Sequence, residues 1–369
     1  MRVDLVDPSA FTPPYDRALA AALARAGASV RLVTGRFAYG QVAAPEGYAV
    51  DERFYRGAVG GAGSRLRRAA KLARHVPDML AYRRAASAAD VVHFQWLTVQ
   101  PLDVHLLPRD RPLVLTAHDV LPREPRAGQL RAQRRLYDRV DAVVVHSHHG
   151  RERLVVDLEV PAEKVHVIHH GAFDYLTRLE HEDPLPAAMR EVERPVVLFF
   201  GLLRPYKGLD VLLEAWRGIG DAELWVVGHP RMPLGPLHAR ATPTVRFFPE
   251  FVPDALLPAL FRRADLVVLP YREIDQSGVL YTALAFGRPL LLSAVGGFPE
   301  VAETGAAELV LPGDAAALHL ALRRLLDDPA RRAALAAAAE RTARTSYSWD
   351  AAAAQHVALY RSLLGGSAP

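Results

Sequence analysis

The chain has 369 residues, half of them hydrophobic, which is enough for two ordinary domains each with its own core. It contains no cysteine, which excludes disulfides, thiolate nucleophiles and thiolate metal sites and agrees with a reducing cytoplasm. A net charge of +4 is mild for this length and makes no demand for nucleic acid; no apolar run reaches the ~20 residues that span a bilayer, and no signal-peptide core precedes the first strand.

The first half alternates strand-like and helix-like runs, with strands expected at 3–6, 29–34, 90–94, 113–117 and 142–146 and a helix over 15–26. Alternation of this kind predicts a parallel, doubly wound sheet. The loop after the first strand carries Pro8, Pro13 and Pro14 in place of paired glycines, so its backbone is too stiff to approach a ligand closely. Asp4 and Asp7 bracket that strand and read as a strand end and a turn, not as a carboxylate pair for a divalent metal. Further on, Arg65, Arg67, Arg68, Lys71 and Arg74 cluster in a helix expected to end before Pro77. Because the interleaved apolar residues are mostly alanine, this stretch reads as a solvated face, with peripheral contact to an anionic membrane through 65–74 as the alternative. His118 follows the apolar run 113–115 and is expected to project from the carboxyl end of its strand, the edge where open α/β sheets bind ligands. Asp119 either orients that imidazole or caps the next turn. His146, His148, His149, His166, His169 and His170 do not read as a metal site, since two are adjacent in sequence and no cysteine helps.

The polar segment 172–193, with Pro184 and Pro186, reads as a linker. It divides the chain into a first domain at 1–175, a linker at 176–193, a second domain at 194–345 and a returning C-terminal helix at 346–369, with a break near Trp349. The second domain opens on the apolar strand 196–200, which runs through Gly201, Arg204 and Lys207 into a helix whose apolar face is Leu209, Leu212, Leu213 and Trp216. Lys207 stands beside a helix N-terminus, where free amides and the dipole favour an anion, and Arg204 adds a planar donor fork. A loop of this composition at a strand's carboxyl end is built to hold phosphate, although it is not the Walker pattern. More strands follow at 223–227, 245–248, 266–269, 290–293 and 309–311, with helices at 254–264 and 278–286. Gln276, Ser277, Gly278 and Val279 open the second of these helices, where the amides can cap a phosphate and Ser277 can serve as N-cap.

Together these motifs resemble the retaining GT-B glycosyltransferases of family 4, over most of the chain and most strongly from residue 162 onward. The carrying pieces are Phe200-Gly201 to Lys207-Gly208, the strand and proline at 264–270, Ala283 to Pro289, Gly296-Gly297-Phe298-Pro299-Glu300 and Thr116-Ala117-His118-Asp119. The resemblance implies two Rossmann-like domains facing across a cleft, with the nucleotide-sugar site on the second and the acceptor site on the first. It implies transfer of a hexose to a carbohydrate, lipid-linked or small-molecule acceptor, with retention of configuration and no metal or other cofactor. On the same basis His118 contacts the donor sugar, and Arg204 and Lys207 stabilise the leaving diphosphate. The family carries two glutamates eight residues apart in its donor loop; here Ile274 and Thr282 occupy those positions, and Glu273 lies one residue off the first. Glu273 is expected to reach the donor sugar, and Thr282 to stand where the ribose is held. Phe11 and Tyr15 are expected to form an acceptor-side wall, with Asp16 beside them capping the helix. The missing glutamates leave two other readings: a sugar-nucleotide-binding protein with little transfer, or a GT-B nucleotide-sugar epimerase.

Overall fold

Alternating strands and helices give two parallel sheets in the computed structural model, which describes residues 1–38, 40, 42–61, 63–120 and 128–365. The first sheet contains β1 (Arg2–Asp7), β2 (Ser29–Gly35), β3 (Ala49–Phe54), β4 (Val91–Phe94), β5 (Leu113–Thr116), β6 (Ala142–Val145) and β7 (Val165–Val167), in the order β3-β2-β1-β4-β5-β6-β7. Every neighbouring pair is parallel; Val3, for example, faces Val30 on one side and Val91 on the other. β3 and β7 lie outside the expected strands for a physical reason. β3 reads Ala-Val-Asp-Glu-Arg-Phe at a sheet edge, and β7 is three residues long, so neither makes the apolar run that marks a central strand.

The second sheet contains β8 (Val196–Phe200), β9 (Glu223–Val227), β10 (Val245–Phe248), β11 (Leu266–Leu269), β12 (Leu290–Ser293) and β13 (Ala307–Val310), in the order β10-β9-β8-β11-β12-β13. It too is parallel throughout. Strand order reverses between β1 and β4 in one sheet and between β8 and β11 in the other. The crevice beyond the carboxyl ends of such a pair is where doubly wound sheets take their ligands.

The chain divides into two compact units, Met1–Gly171 with Trp349–Pro369, and Ala172–Ser348. The segment 176–193, expected as a linker, belongs to the second unit. Its Leu176 and Met189 are buried in that unit's core, so the polar residues around them cover an anchored strap. The C-terminal helix Trp349–Leu363 belongs to the first unit, where Tyr360 meets His93 Nδ1 at 2.7 Å and Arg25 meets Asp350 at 2.6 Å. The basic helix also departs from expectation, running from Arg65 to Ala85 straight through Pro77. The carbonyl that Pro77 leaves without a donor belongs to Ala73, which is exposed, so water can take its place.

Candidate active site

On the second unit the site grows from the end of β8. Gly201 has φ +108° and lies so close to the turn after β9 that a Cβ on Gly228 would stand 2.0 Å from the Gly201 carbonyl oxygen. Only glycines allow the two turns to meet in this way. The loop then makes one 3-10 turn, Pro205–Lys207, and reverses at Gly208, where a Cβ would stand 2.0 Å from the Pro270 carbonyl. That approach ties the loop to the segment following β11. Arg272 strengthens the tie, donating from its backbone to the Tyr206 carbonyl at 2.8 Å and from its guanidinium to both Asp210 carboxylate oxygens at 2.8 and 2.7 Å.

Lys207 is 6% exposed. Its ammonium lies 5.0 Å from the centre of the Tyr271 ring and pairs with no carboxylate among the described residues. A Cβ on Gly201 would meet that nitrogen at 2.7 Å and the Val279 side chain at 3.1 Å. The ammonium, the Gly201 backbone and the first turn of the helix Gly278–Ala285 therefore converge on one spot. Ser277 precedes this helix but makes no side-chain cap; its hydroxyl turns instead to the Tyr271 hydroxyl at 3.4 Å. The expected alternative of an ordinary N-cap is therefore not realised, and the Gly278 and Val279 amides are left uncapped by that hydroxyl. Gln276 accepts from Tyr281 at 2.8 Å. Arg204 is exposed, and Glu273 is exposed in the loop after Tyr271. Thr282 is buried, and its hydroxyl donates to the Gly278 carbonyl at 2.9 Å within its own helix.

On the first unit the β1–β4 switch carries the remaining candidates. Asp7 ends β1, and its carboxylate accepts the amides of Ser9, Phe11 and Thr12, folding the proline-rich loop around itself. Asp16 is not a helix cap: it is buried, and Thr12 donates to it at 3.4 Å. Burial first, and then the Asp7 charge, hold its pKa well above the ordinary carboxylate range, so Asp16 keeps its proton. Phe11, expected in an acceptor-side wall, is 56% exposed, with its ring 5.4 Å from that of Trp96. Tyr15, expected beside it, is not at the surface. It is buried, with the rings of His118, His170, Trp349 and His146 packed around it at 4.6, 4.9, 5.1 and 5.3 Å.

His118 is held between the edge of Tyr15 and the face of Trp96, the latter at 4.9 Å and 13° from parallel. The residue is partly exposed, yet its Nε2 is buried and without a hydrogen-bond partner. Burial, followed by His146, His170 and His93, pushes its pKa well below the usual imidazole value, so the ring is neutral. Among the described residues, no group of three His, Asp or Glu side chains is gathered where a metal ion could sit. Sequence reasoning missed Trp96, Tyr271 and the Arg272–Asp210 clasp, because each matters only through a neighbour distant in the chain.

Both units match known families. Residues 17–172 match the model described as Glycosyltransferase Family 4, and residues 194–328 match Glycosyl transferases group 1. The chain is 28% identical over 312 residues to D-inositol 3-phosphate glycosyltransferase 1 of Catenulispora acidiphila, covering 77% of this chain and 74% of the relative. It is 30% identical over 189 residues to the GDP-mannose:glycolipid 4-beta-D-mannosyltransferase of Xanthomonas campestris pv. campestris, covering 49% of each. Among solved structures, sucrose-phosphate synthase from Thermosynechococcus elongatus superposes with a TM-score of 0.75 at 22% identity over the full length of both chains. HepE of Anabaena, in complex with UDP-glucose, gives 0.72 at 19% identity over 98% of this chain and all of that one. With one family model on each unit and the same two-sheet fold in these neighbours, the chain belongs to the group 1, family 4 glycosyltransferases of GT-B fold.

Proposed function

We propose that this glycosyltransferase takes a nucleoside-diphosphate hexose as donor, transfers the hexose to an acceptor hydroxyl with retention of configuration, and needs no metal to do so. One observation carries the donor assignment: the buried Lys207 ammonium, without a carboxylate partner, beside the Gly201 turn and the uncapped amides of Gly278 and Val279. A diphosphate leaving group gathers charge as its bond to the sugar breaks, and preorganised donors in a dry site stabilise that charge most. Arg204, at the exposed rim, adds a second cation. The anomeric carbon–oxygen bond breaks with its electron pair passing to the diphosphate, the acceptor oxygen bonds to the same face of that carbon, and the acceptor proton goes to the departing oxygen. The neutral His118, with an unpartnered Nε2, suits a hydrogen bond to a donor-sugar hydroxyl. Glu273 is assigned to the same sugar from the solvent side. Thr282 retains lone pairs for one ribose hydroxyl, a weaker grip than a carboxylate.

HepE in complex with UDP-glucose and a relative named for GDP-mannose support a nucleotide-sugar donor and leave both bases in play. Calorimetric titration with UDP, GDP, ADP and their sugar conjugates in EDTA tests donor and metal independence together. Tight binding of one nucleotide in the chelator is expected, and binding only after a divalent metal is restored would refute the metal-free reading.

We further infer a cytoplasmic protein resting on an anionic membrane surface. No helix among the described residues is long and apolar enough to cross a membrane. What supports surface contact is the helix Arg65–Ala85, which exposes Leu66, Leu72, Val76 and Leu80 among Arg65, Arg68 and Arg84. Co-sedimentation with phosphatidylcholine vesicles that is no greater when phosphatidylglycerol is included would remove this inference.

A further inference from the structure

Beside the Phe11 wall, the first unit holds a group of side chains that the transfer reaction above does not use. Tyr55 follows β3 with φ +57°, a left-handed conformation that a bulky residue holds only when its surroundings impose it. Those surroundings are a buried relay. The Tyr55 amide donates to Asp78 at 2.7 Å, the Tyr55 hydroxyl meets His75 Nδ1 at 2.8 Å, His75 Nε2 meets Asp103, and Asp103 accepts the Val99 amide at 2.7 Å. On its outer side the Tyr55 hydroxyl lies 3.5 Å from that of exposed Thr98, which lies 3.1 Å from the Ser9 hydroxyl. Three hydroxyls from the carboxyl ends of β1, β3 and β4 thus line the β1–β4 switch.

Two cations overlook this line. Lys71 is half-buried, with its ammonium 5.0 Å from the centre of the Tyr55 ring. Arg67, one helical turn earlier, is tethered to the carbonyls of Ala58 and Gly60 at 3.1 and 3.4 Å. Neither pairs with a carboxylate among the described residues, whereas Arg31, Arg53 and Arg74 nearby each do. Asp7 is within electrostatic reach of Lys71, but its oxygens are committed to three amides of its own loop. Burial and the neighbouring Arg67 lower the Lys71 pKa from its usual value. Two adjacent cations, each partly withdrawn from bulk water and neither ion-paired among the described residues, repel one another and favour the arrival of an anion between them.

We infer that Lys71 and Arg67, with the hydroxyls of Ser9, Thr98 and Tyr55, form a subsite for a phosphoryl group carried by the acceptor. This rests on the glycosyltransferase reading. The phosphate is gripped there while the Phe11–Trp96 pair receives the carbon face of the hydroxyl-bearing part. Tyr55 is a binding residue, and His75 and Asp103 position it from beneath. The phosphoryl group belongs either to a soluble sugar or polyol phosphate or to a lipid headgroup.

The test titrates the full chain with glucose 6-phosphate, and separately with phosphatidylcholine vesicles with and without phosphatidylglycerol, following tryptophan fluorescence. Lys71→Ala and Thr98→Val are compared with Arg68→Ala, which removes the same charge from an exposed position on the same helix. Lys71→Ala is expected to weaken binding about tenfold, the loss typical of one charge-assisted hydrogen bond, and Thr98→Val by a smaller factor, while Arg68→Ala leaves glucose 6-phosphate binding unchanged. Loss confined to glucose 6-phosphate assigns a soluble acceptor, and loss confined to the anionic vesicles, beyond that of Arg68→Ala, assigns a lipid one. If neither probe binds the wild type, or Lys71→Ala and Arg68→Ala behave alike with both probes, the subsite is overturned. Nucleotide binding on the second unit is measured in the same samples, so failure of the donor assignment is read separately.

Discussion

At the scale of single residues, burial separates two cations that look equivalent in the phosphate loop. Lys207 is withdrawn from solvent against Tyr271, while Arg204 is exposed and its field is screened by water. Lys207→Ala is therefore expected to lower kcat/KM for nucleoside-diphosphate release by ~2–4 kcal/mol in transition-state terms, and Arg204→Ala by about 1 kcal/mol. Equal losses in steady-state assays would contradict the burial argument. Lys207 was legible in the chain because strand, glycine, cation and helix follow one another without a break. Asp16 and Tyr15 were not, since a helix start looks the same whether its side chains meet a ligand or are sealed beneath neighbouring rings. Thr282 shows an intermediate case: its position in the donor loop could be read, but its hydroxyl bond to Gly278 is visible only in the folded helix.

At the scale of elements, the helix Arg65–Ala85 carries a testable internal cost. Proline in a helix interior costs ~3 kcal/mol relative to alanine, and its rigidity in the unfolded chain returns up to ~1 kcal/mol. Pro77 is exposed and shares none of the proposed phosphate contacts, so Pro77→Ala is expected to raise stability by ~2 kcal/mol in urea denaturation. No gain would mean that the first unit unfolds without breaking this helix. A proline signal was read from sequence as a helix end because local sterics favour that outcome. Packing of His75, Asp78, Met79 and Tyr82 on both sides of Pro77 overrode it.

At the scale of the whole molecule, buried histidines give the first unit a distinctive acid response. His93, His146, His170 and His356 are buried and His118 partly so, and all five are held below the ordinary imidazole pKa, His146 at about 3 and His356 at about 4. Above about pH 6.5 both folded and unfolded imidazoles are neutral and contribute no difference; as the pH falls toward the folded values, only the unfolded chain takes up protons and stability drops. His146 and His356, with folded values of about 3 and about 4, each subtract about 2 kcal/mol at about pH 5, and the other three act in the same direction. Asp16 and Asp7, whose folded pKa values are raised by burial, work with the opposite sign, but they are two carboxyls against five imidazoles. Urea midpoints measured at about pH 7 and about pH 5 are expected to fall markedly. A flat profile would show that these rings are hydrated and charged in the folded state.

The chain by itself determined the architecture and half of the chemistry. Apolar runs of strand length alternating with helical faces dictate parallel sheets, and the cation-bearing loop after β8 is local, so neighbours in sequence are neighbours in space. Tertiary structure alone decided which charges lack partners. Lys71 and Tyr55 are joined across a loop, Lys207 and Tyr271 meet from the ends of the neighbouring strands β8 and β11, far apart in sequence, and His118, His146 and His170 come from the ends of three different strands. The free energy of a charge or an imidazole depends on the solvent and counter-ions around it, and those are supplied by segments far away in the chain.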